Sequence, residues 1–158
     1  MEMRKAERQT SDEEARSLLE GGLYCILSMV APDGGAYAVP MSYAVRGDTL
    51  YVHCARGAGF KYECLTAHPR AAAVVVRDDV ETIPGKFSTY YESAIARGPV
   101  RLVEDEAERQ IVLNALVGKY DAPHAKQGRK YARAASPRVD VFALEIEELT
   151  GKARRRPH

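Results

Sequence analysis

The sequence predicts a mainly β fold with helices: a small antiparallel barrel of six strands with peripheral helices. Short apolar strand-like runs recur between Gly-containing reversals. The first three runs follow one another with no helix between them, which is the order of a meander. Helical spacing is confined to the start, to a short segment after the third run and to the stretch before the last run. An open α+β sheet is the competing architecture, because strand patterns do not show whether a sheet closes.

Taken in order, Ser11 followed by Glu14 is a capping-box pattern, and Ala15, Leu18 and Leu19 then form an apolar stripe that Gly21 and Gly22 end. Residues 23–31 and 36–45 read as strands joined by the turn "PDGG". "RGD" at 46–48 is a second tight reversal into the strand "TLYVHCA" at 49–55; a hairpin turn accounts for the triplet. Residues 60–69 follow as a short helix and 70–78 as a buried strand. Residues 86–105 read as a long strand bent at Gly98-Pro99. Spacing turns helical through Ile111, Val112, Ala115 and Leu116, a basic helix is expected over 123–135, and 138–152 closes the chain as a strand.

The 158 residues suit one compact domain over 1–158, with 46% hydrophobic and 28% charged residues arguing against disorder. A formal net charge of +1 provides no global attraction to nucleic acid or to an anionic membrane, so neither is an expected partner. The basic tail "GKARRRPH" at 151–158 reads as a solvated end, since no stacking aromatics accompany it. With no long apolar run and no apolar leader segment at the start, a cytoplasmic location is expected. Cys25, Cys54 and Cys64 lack C-x-x-C spacing and are expected as reduced thiols.

The stretch "TLYVHCARGAGFKYECLTAHP" at 49–69 raises the question of function. Alternation puts Tyr51, His53 and Ala55 on one strand face. Gly57 and Gly59 would let backbone N–H groups approach a ligand, and Lys61 stands at the start of the following helix. A cation at the positive end of a helix is poorly placed unless an anion lies between them, so the pattern asks for a phosphate. An exposed lysine after an ordinary turn is the competing reading; the pattern is neither a Walker A loop nor a complete G-x-G-x-x-G fingerprint. His53 is open between a locally satisfied strand histidine and a contact to a cofactor or substrate. A metal site from His53, Cys54, Cys64 and His68 would need opposite strand faces to converge, so none is expected. Pro40 withholds an N–H from the ladder, as tolerated at an edge, at a bulge or under a flat ligand.

"MRKAER" near the start, "VPMSYAVRGDTLYVHCARGAGFK", "STYYESAIARG" and "ELTGK" near the end occur in the order and approximate spacing of a known family. The chain resembles the split-barrel flavoproteins related to pyridoxamine 5′-phosphate oxidase, within them the branch similar to nitroimidazole-resistance proteins. The resemblance implies a six-stranded split β-barrel that forms a homodimer with FMN in clefts at the subunit interface. It places Val39, Pro40, Met41, Ser42 and Tyr43 beside the isoalloxazine, and His53, Cys54 and Ala55 along the ribityl and phosphate path. Lys61 would pair with the phosphate, Tyr91 and Ser93 would approach the cofactor, and Lys152 matches the lysine of the terminal Thr-Gly-Lys. Relatives often carry Ser or Thr where Cys54 stands, and a thiol is the weaker donor.

The implied activity is that of a flavin-dependent oxidoreductase, taking reducing equivalents from a reduced nicotinamide donor and passing them to a small electron-poor acceptor such as a nitroaromatic. No side-chain nucleophile is required, and no catalytic residue is assigned. The alternatives are a non-catalytic flavin- or haem-binding protein, with His53 as the haem ligand, and a deazaflavin-dependent reductase.

Overall fold

A computed structural model describes residues 4–157; Met3 of "MRKAER" and His158 of the basic tail lie outside the described residues. The chain forms a mainly antiparallel sheet with peripheral helices, the split-barrel arrangement, in the order β2-β1-β5-β7-β8-β4-β3, with β6 and β9 also paired to β7. The strands are β1 Cys25–Val30, β2 Ala36–Met41, β3 Tyr43–Arg46, β4 Thr49–Ala55, β5 Arg70–Val76, β6 Glu81–Thr82, β7 Thr89–Leu102, β8 Val139–Glu145 and β9 Glu148–Arg154. The helices are α1 Asp12–Gly21, α2 Phe60–Ala67, α3 Glu106–Tyr120 and α4 Ala125–Ala135, with short 3-10 turns at Ala6–Arg8, Ala122–His124 and Ser136–Arg138.

Nine strands and six expected runs are reconciled by two interruptions and one addition. The expected second run breaks at Ser42 into β2 and β3, which occupy the two ends of the sheet path. The last run breaks at residues 146–147 into β8 and β9, and the two-residue β6 was not read from the sequence. The sheet does not close by hydrogen bonding. Its ends are joined covalently through Ser42, where the strand leaves one arm for the other.

β7 runs from Thr89 to Leu102 and, at the expected Gly98-Pro99 position, passes from pairing with β5 and β9 to pairing with β8. A second irregularity lies opposite it. Val100 faces Leu144 whereas Arg97 faces Glu148, so the β8–β9 side carries one extra residue, a β-bulge. Gly98 accommodates the bulge, since a Cβ there would sit 1.8 Å from the Glu145 carbonyl oxygen.

Alternation places Cys25, Leu27 and Met29 of β1, Ala71, Ala73 and Val75 of β5, Ala94 and Ala96 of β7, and Leu50, Val52 and Cys54 of β4 in one interior core. The opposite faces of β4 and β8 are covered by α3 and α4: Tyr51, Val141 and Ala143 pack with Val112, Leu113, Leu116 and Ala132. This two-sided cover explains the unbroken burial of Asp140 to Leu144. The capping box at α1 forms as expected, with Ser11 Oγ accepting from Glu14 N at 3.2 Å and Glu14 Oε2 accepting from Ser11 N at 2.9 Å. The reading of 151–158 as a solvated end is corrected for its first half. Gly151 to Arg154 belong to β9, and Arg155 and Arg156 form ion pairs with Glu14 and Glu81. Among the described residues, no helix is long and apolar enough to cross a membrane.

Candidate functional site

The strand–loop–helix stretch forms as β4, a loop and α2. Gly57 and Gly59 have φ of 58° and 92°, backbone that side chains with a Cβ rarely adopt. Yet the Gly57 N–H is not free. It donates to Asp140 Oδ2 at 2.7 Å, and Arg56 Nε reaches Asp140 Oδ1 at 3.3 Å. The loop therefore already holds an anion of the chain's own, a carboxylate only 5% exposed. Asp140 enters through the β4–β8 register, in which it faces Cys54; nothing local to the loop announces it.

The first turn of α2 has a different character. No side chain caps it, so its leading amides lack intrahelical partners. The Phe60 ring meets Tyr37 edge-on at 5.0 Å, docking the helix start against β2. This brings Lys61 Nζ to 3.1 Å from Met41 Sδ, a soft and weak acceptor for an ammonium. His53 is half-buried beside it, and its Nδ1 is buried without a hydrogen-bond partner among the described residues. Burial first, and the Lys61 charge second, hold the His53 imidazolium below its ordinary titration range. Burial raises the Cys54 thiol, the Lys61 charge opposes that, and Asp140 reinforces it. Met41, His53, Cys54 and Lys61 thus share one neighbourhood, in which an ammonium and an imidazole nitrogen both lack a strong partner.

The other candidates divide by strand face. Pro40 and Ser42 are exposed and Val39 is half-buried, whereas Met41 and Cys54 point into the interior core and Ala55 is exposed at the end of β4. Tyr43 is wholly buried. Its hydroxyl donates to the Leu19 carbonyl, its amide donates to Tyr120 Oη at 2.9 Å, and Lys119 Nζ lies 3.7 Å from its ring centroid. It braces α1 and α3 against β3, and its polar groups are already engaged.

Tyr91, Ser93 and Lys152 form a second, separate group on β7 and β9. Ser93 and Lys152 are register partners, and Ser93 Oγ donates to the Lys152 carbonyl at 3.4 Å. Two strands, β1 and β5, separate β7 from β2. At ordinary strand spacing, the second group stands about 14 Å from the β2 group along the sheet. A single chain does not converge all the candidate residues on one point.

The sequence reading missed a cleft of about 630 Å³ between the end of α1 and the β5–β7 edge. Its lining includes Leu23, Tyr24, Val76, Arg77, Glu92 and Arg155. A signal for it in the sequence is the apolar pair Leu23-Tyr24 directly after a helix-ending glycine pair, which is unremarkable in a single sequence. Among the described residues, no group of three or more His, Cys, Asp or Glu side chains is arranged to hold a metal ion.

Comparison with known proteins extends this picture. The family profile described as pyridoxamine 5′-phosphate oxidase matches residues 11–153. A conserved hypothetical protein of Mycobacterium tuberculosis superposes with a TM-score of 0.83 at 16% identity, over 99% of this chain and 95% of that one. A protein of Mycobacterium smegmatis described as FAD- and heme-binding gives 0.78 at 24% identity, over 94% and 74%. One described as a 5-nitroimidazole antibiotic resistance protein, from Bacteroides thetaiotaomicron, gives 0.73 at 23% identity, over 90% and 83%. No curated protein matches the chain. At these identities the structural likenesses establish the shared fold.

Proposed function

The chain belongs to the pyridoxamine 5′-phosphate oxidase family, and from that premise we propose that it binds FMN and acts as a flavin-dependent oxidoreductase on a small electron-poor acceptor such as a nitroaromatic. One observation carries the cofactor reading: among the described residues, Lys61, at an uncapped helix start, has only a thioether within reach, while Nδ1 of neighbouring His53 is buried and unpartnered. An anionic, hydrogen-bonding ligand satisfies all three at once. The residues therefore fit a phosphate-bearing flavin. Lys61 and the first amides of α2 would hold the phosphate, His53 would give or accept one hydrogen bond, and Pro40 and Ser42 would present the open face of the β2–β3 junction. Bound FMN supplies the electron-transfer chemistry, with a reduced nicotinamide as the expected donor. Structural neighbours include a protein described as FAD- and heme-binding, and a lysine ammonium beside His53 favours a phosphorylated ligand over haem ligation there.

The same reading includes a homodimer. The β2 group and the β7–β9 group lie on different parts of one sheet, so a second copy brings them together across a shared cleft. The outer face of β1, β5 and β7 supplies a surface suited to this, with Ile26, Val30, Ala72, Val74 and Ile95 exposed or half-exposed.

The test is equilibrium FMN binding by wild type and Lys61→Ala, with circular dichroism to confirm that both are folded. Loss of the charge-assisted contact should weaken FMN about 10- to 100-fold, equivalent to about 1.5–3 kcal/mol. Unchanged affinity in the folded variant would sink the phosphate assignment. The absorbance spectrum of the loaded protein separates bound flavin from haem.

A further inference from the structure

The 630 Å³ cleft has a chemical character distinct from the Lys61 neighbourhood. Its floor is apolar and open to water: Leu23 is 62%, Tyr24 50% and Val76 43% exposed. Such a cluster, sunk in a concave surface, is poorly explained as scattered surface apolarity. Five carboxylates line it, from Glu13, Glu14, Asp78, Asp79 and Glu92. Its cations, Arg77 and Arg155, are each occupied twice. Arg77 Nε lies 3.1 Å from Asp79 and its Nη1 3.6 Å from Glu92, while Arg155 lies 2.6 Å from Glu14 and 3.4 Å from Glu92. A surplus of negative charge therefore surrounds an accessible tyrosine ring, which disfavours phosphates and carboxylates and favours a cation.

The position of the cleft is as informative as its charge. Extending the β1–β5 register from Ile26↔Val74 places Tyr24 opposite Val76. Val76 pairs with Ser93, and Ser93 pairs with Lys152. Tyr24 and Val76, which line the cleft, thus continue into Ser93 and Lys152 as one row on the outer sheet face, each about 5 Å from the next, while Arg77, Glu92 and Arg155 line the cleft from the opposite strand face. Ser93 and Lys152 are the residues expected near the cofactor.

We propose that this cleft is the acceptor subsite, and that it selects small planar aromatic molecules that are positively charged over their anionic counterparts. Tyr24 supplies the face on which the ring lies, and the carboxylate rim supplies the charge preference. The subsite's role as the acceptor pocket rests on the flavin reading above; its ligand preference stands on the cleft alone.

The experiment uses the full chain, with and without FMN, and equilibrium binding read by ligand-observed NMR. Three probes share one ring: 4-nitrobenzyltrimethylammonium, 4-nitrobenzyl alcohol and 4-nitrobenzoate. At low salt the cation should bind about tenfold more tightly than the carboxylate, and the ratio should collapse at high ionic strength. Tyr24→Ala should weaken the cation about three- to fivefold, with Tyr24→Phe retaining it. The combined rim variant Glu13→Gln, Asp78→Asn, Asp79→Asn, all at exposed positions, should abolish the charge preference while leaving FMN affinity unchanged. Equal binding of the three probes, or discrimination untouched by the folded rim variant and by Tyr24→Ala, overturns the subsite. If FMN fails to bind while the discrimination persists, the flavin reading falls and the cation-selective cleft remains. If FMN binds without discrimination, the reverse holds.

Discussion

His53 couples the residue chemistry to a measurable pH response. Burial and the Lys61 charge both disfavour its protonated form, so the folded protein should titrate it below the ordinary histidine range. A group whose folded pKa is depressed in this direction binds more protons when unfolded, and its protonation opposes folding. Stability should therefore decline as pH falls through the unfolded histidine value, and the decline should end once the folded value is passed. His53→Gln should flatten that part of the stability–pH profile, as read by denaturant unfolding between pH 5 and pH 8. An FMN phosphate placed between His53 and Lys61 would reverse the local field. The His53 ring resonances should then titrate at higher pH with FMN present, and an unchanged midpoint would argue that the phosphate lies elsewhere. His53 and Lys61 were both legible as candidates from the "VHCARGAGFK" pattern. The hydrogen bond by which Asp140 occupies the Gly57 N–H was not, because that contact joins residues 83 positions apart.

Among the elements, the β7–β8–β9 junction is the most exacting. Gly98 lies where the bulge carries the Glu145 carbonyl against β7, and the atom that a Cβ would strike is backbone, with no flexible side chain to yield. Gly98→Ala should destabilise the fold by about 3 kcal/mol, a large overpacking cost, visible as a reduced denaturant midpoint with a similar slope. A stability equal to wild type would mean that the bulge relaxes freely. The pattern Gly98-Pro99 marks an irregularity in the sequence, and β7 changes partners there. The bulge in the facing strand, for which the glycine supplies the room, is not legible from the pattern. Likewise, the run at 36–45 alternates smoothly enough to read as one strand. Its break at Ser42 follows from the chain crossing between arms of the sheet, which local alternation does not record.

At the scale of the whole molecule, the proposed site is incomplete in one protomer, so cofactor binding and association should be linked. Sedimentation equilibrium should give a dimer for the wild type. Val74→Glu, placing a charge in the middle of the open face, should yield folded monomers that lose FMN affinity. A wild-type monomer that binds FMN would overturn the shared-cleft arrangement. Local chemistry sufficed for the capping box, the glycine turns, the alternation of each strand and the cation at the start of α2, because each depends on neighbours a few residues away. Pairing between distant strands decided the rest. The β4–β8 register delivers Asp140 to the loop, the docking of α2 on β2 sets Lys61 beside Met41, and the row across β1, β5, β7 and β9 lines Tyr24 up with Ser93 and Lys152. A strand's pattern states which face is apolar. It is silent on which partner lies beside that strand and at what offset, since the backbone groups that pair are the same at every position.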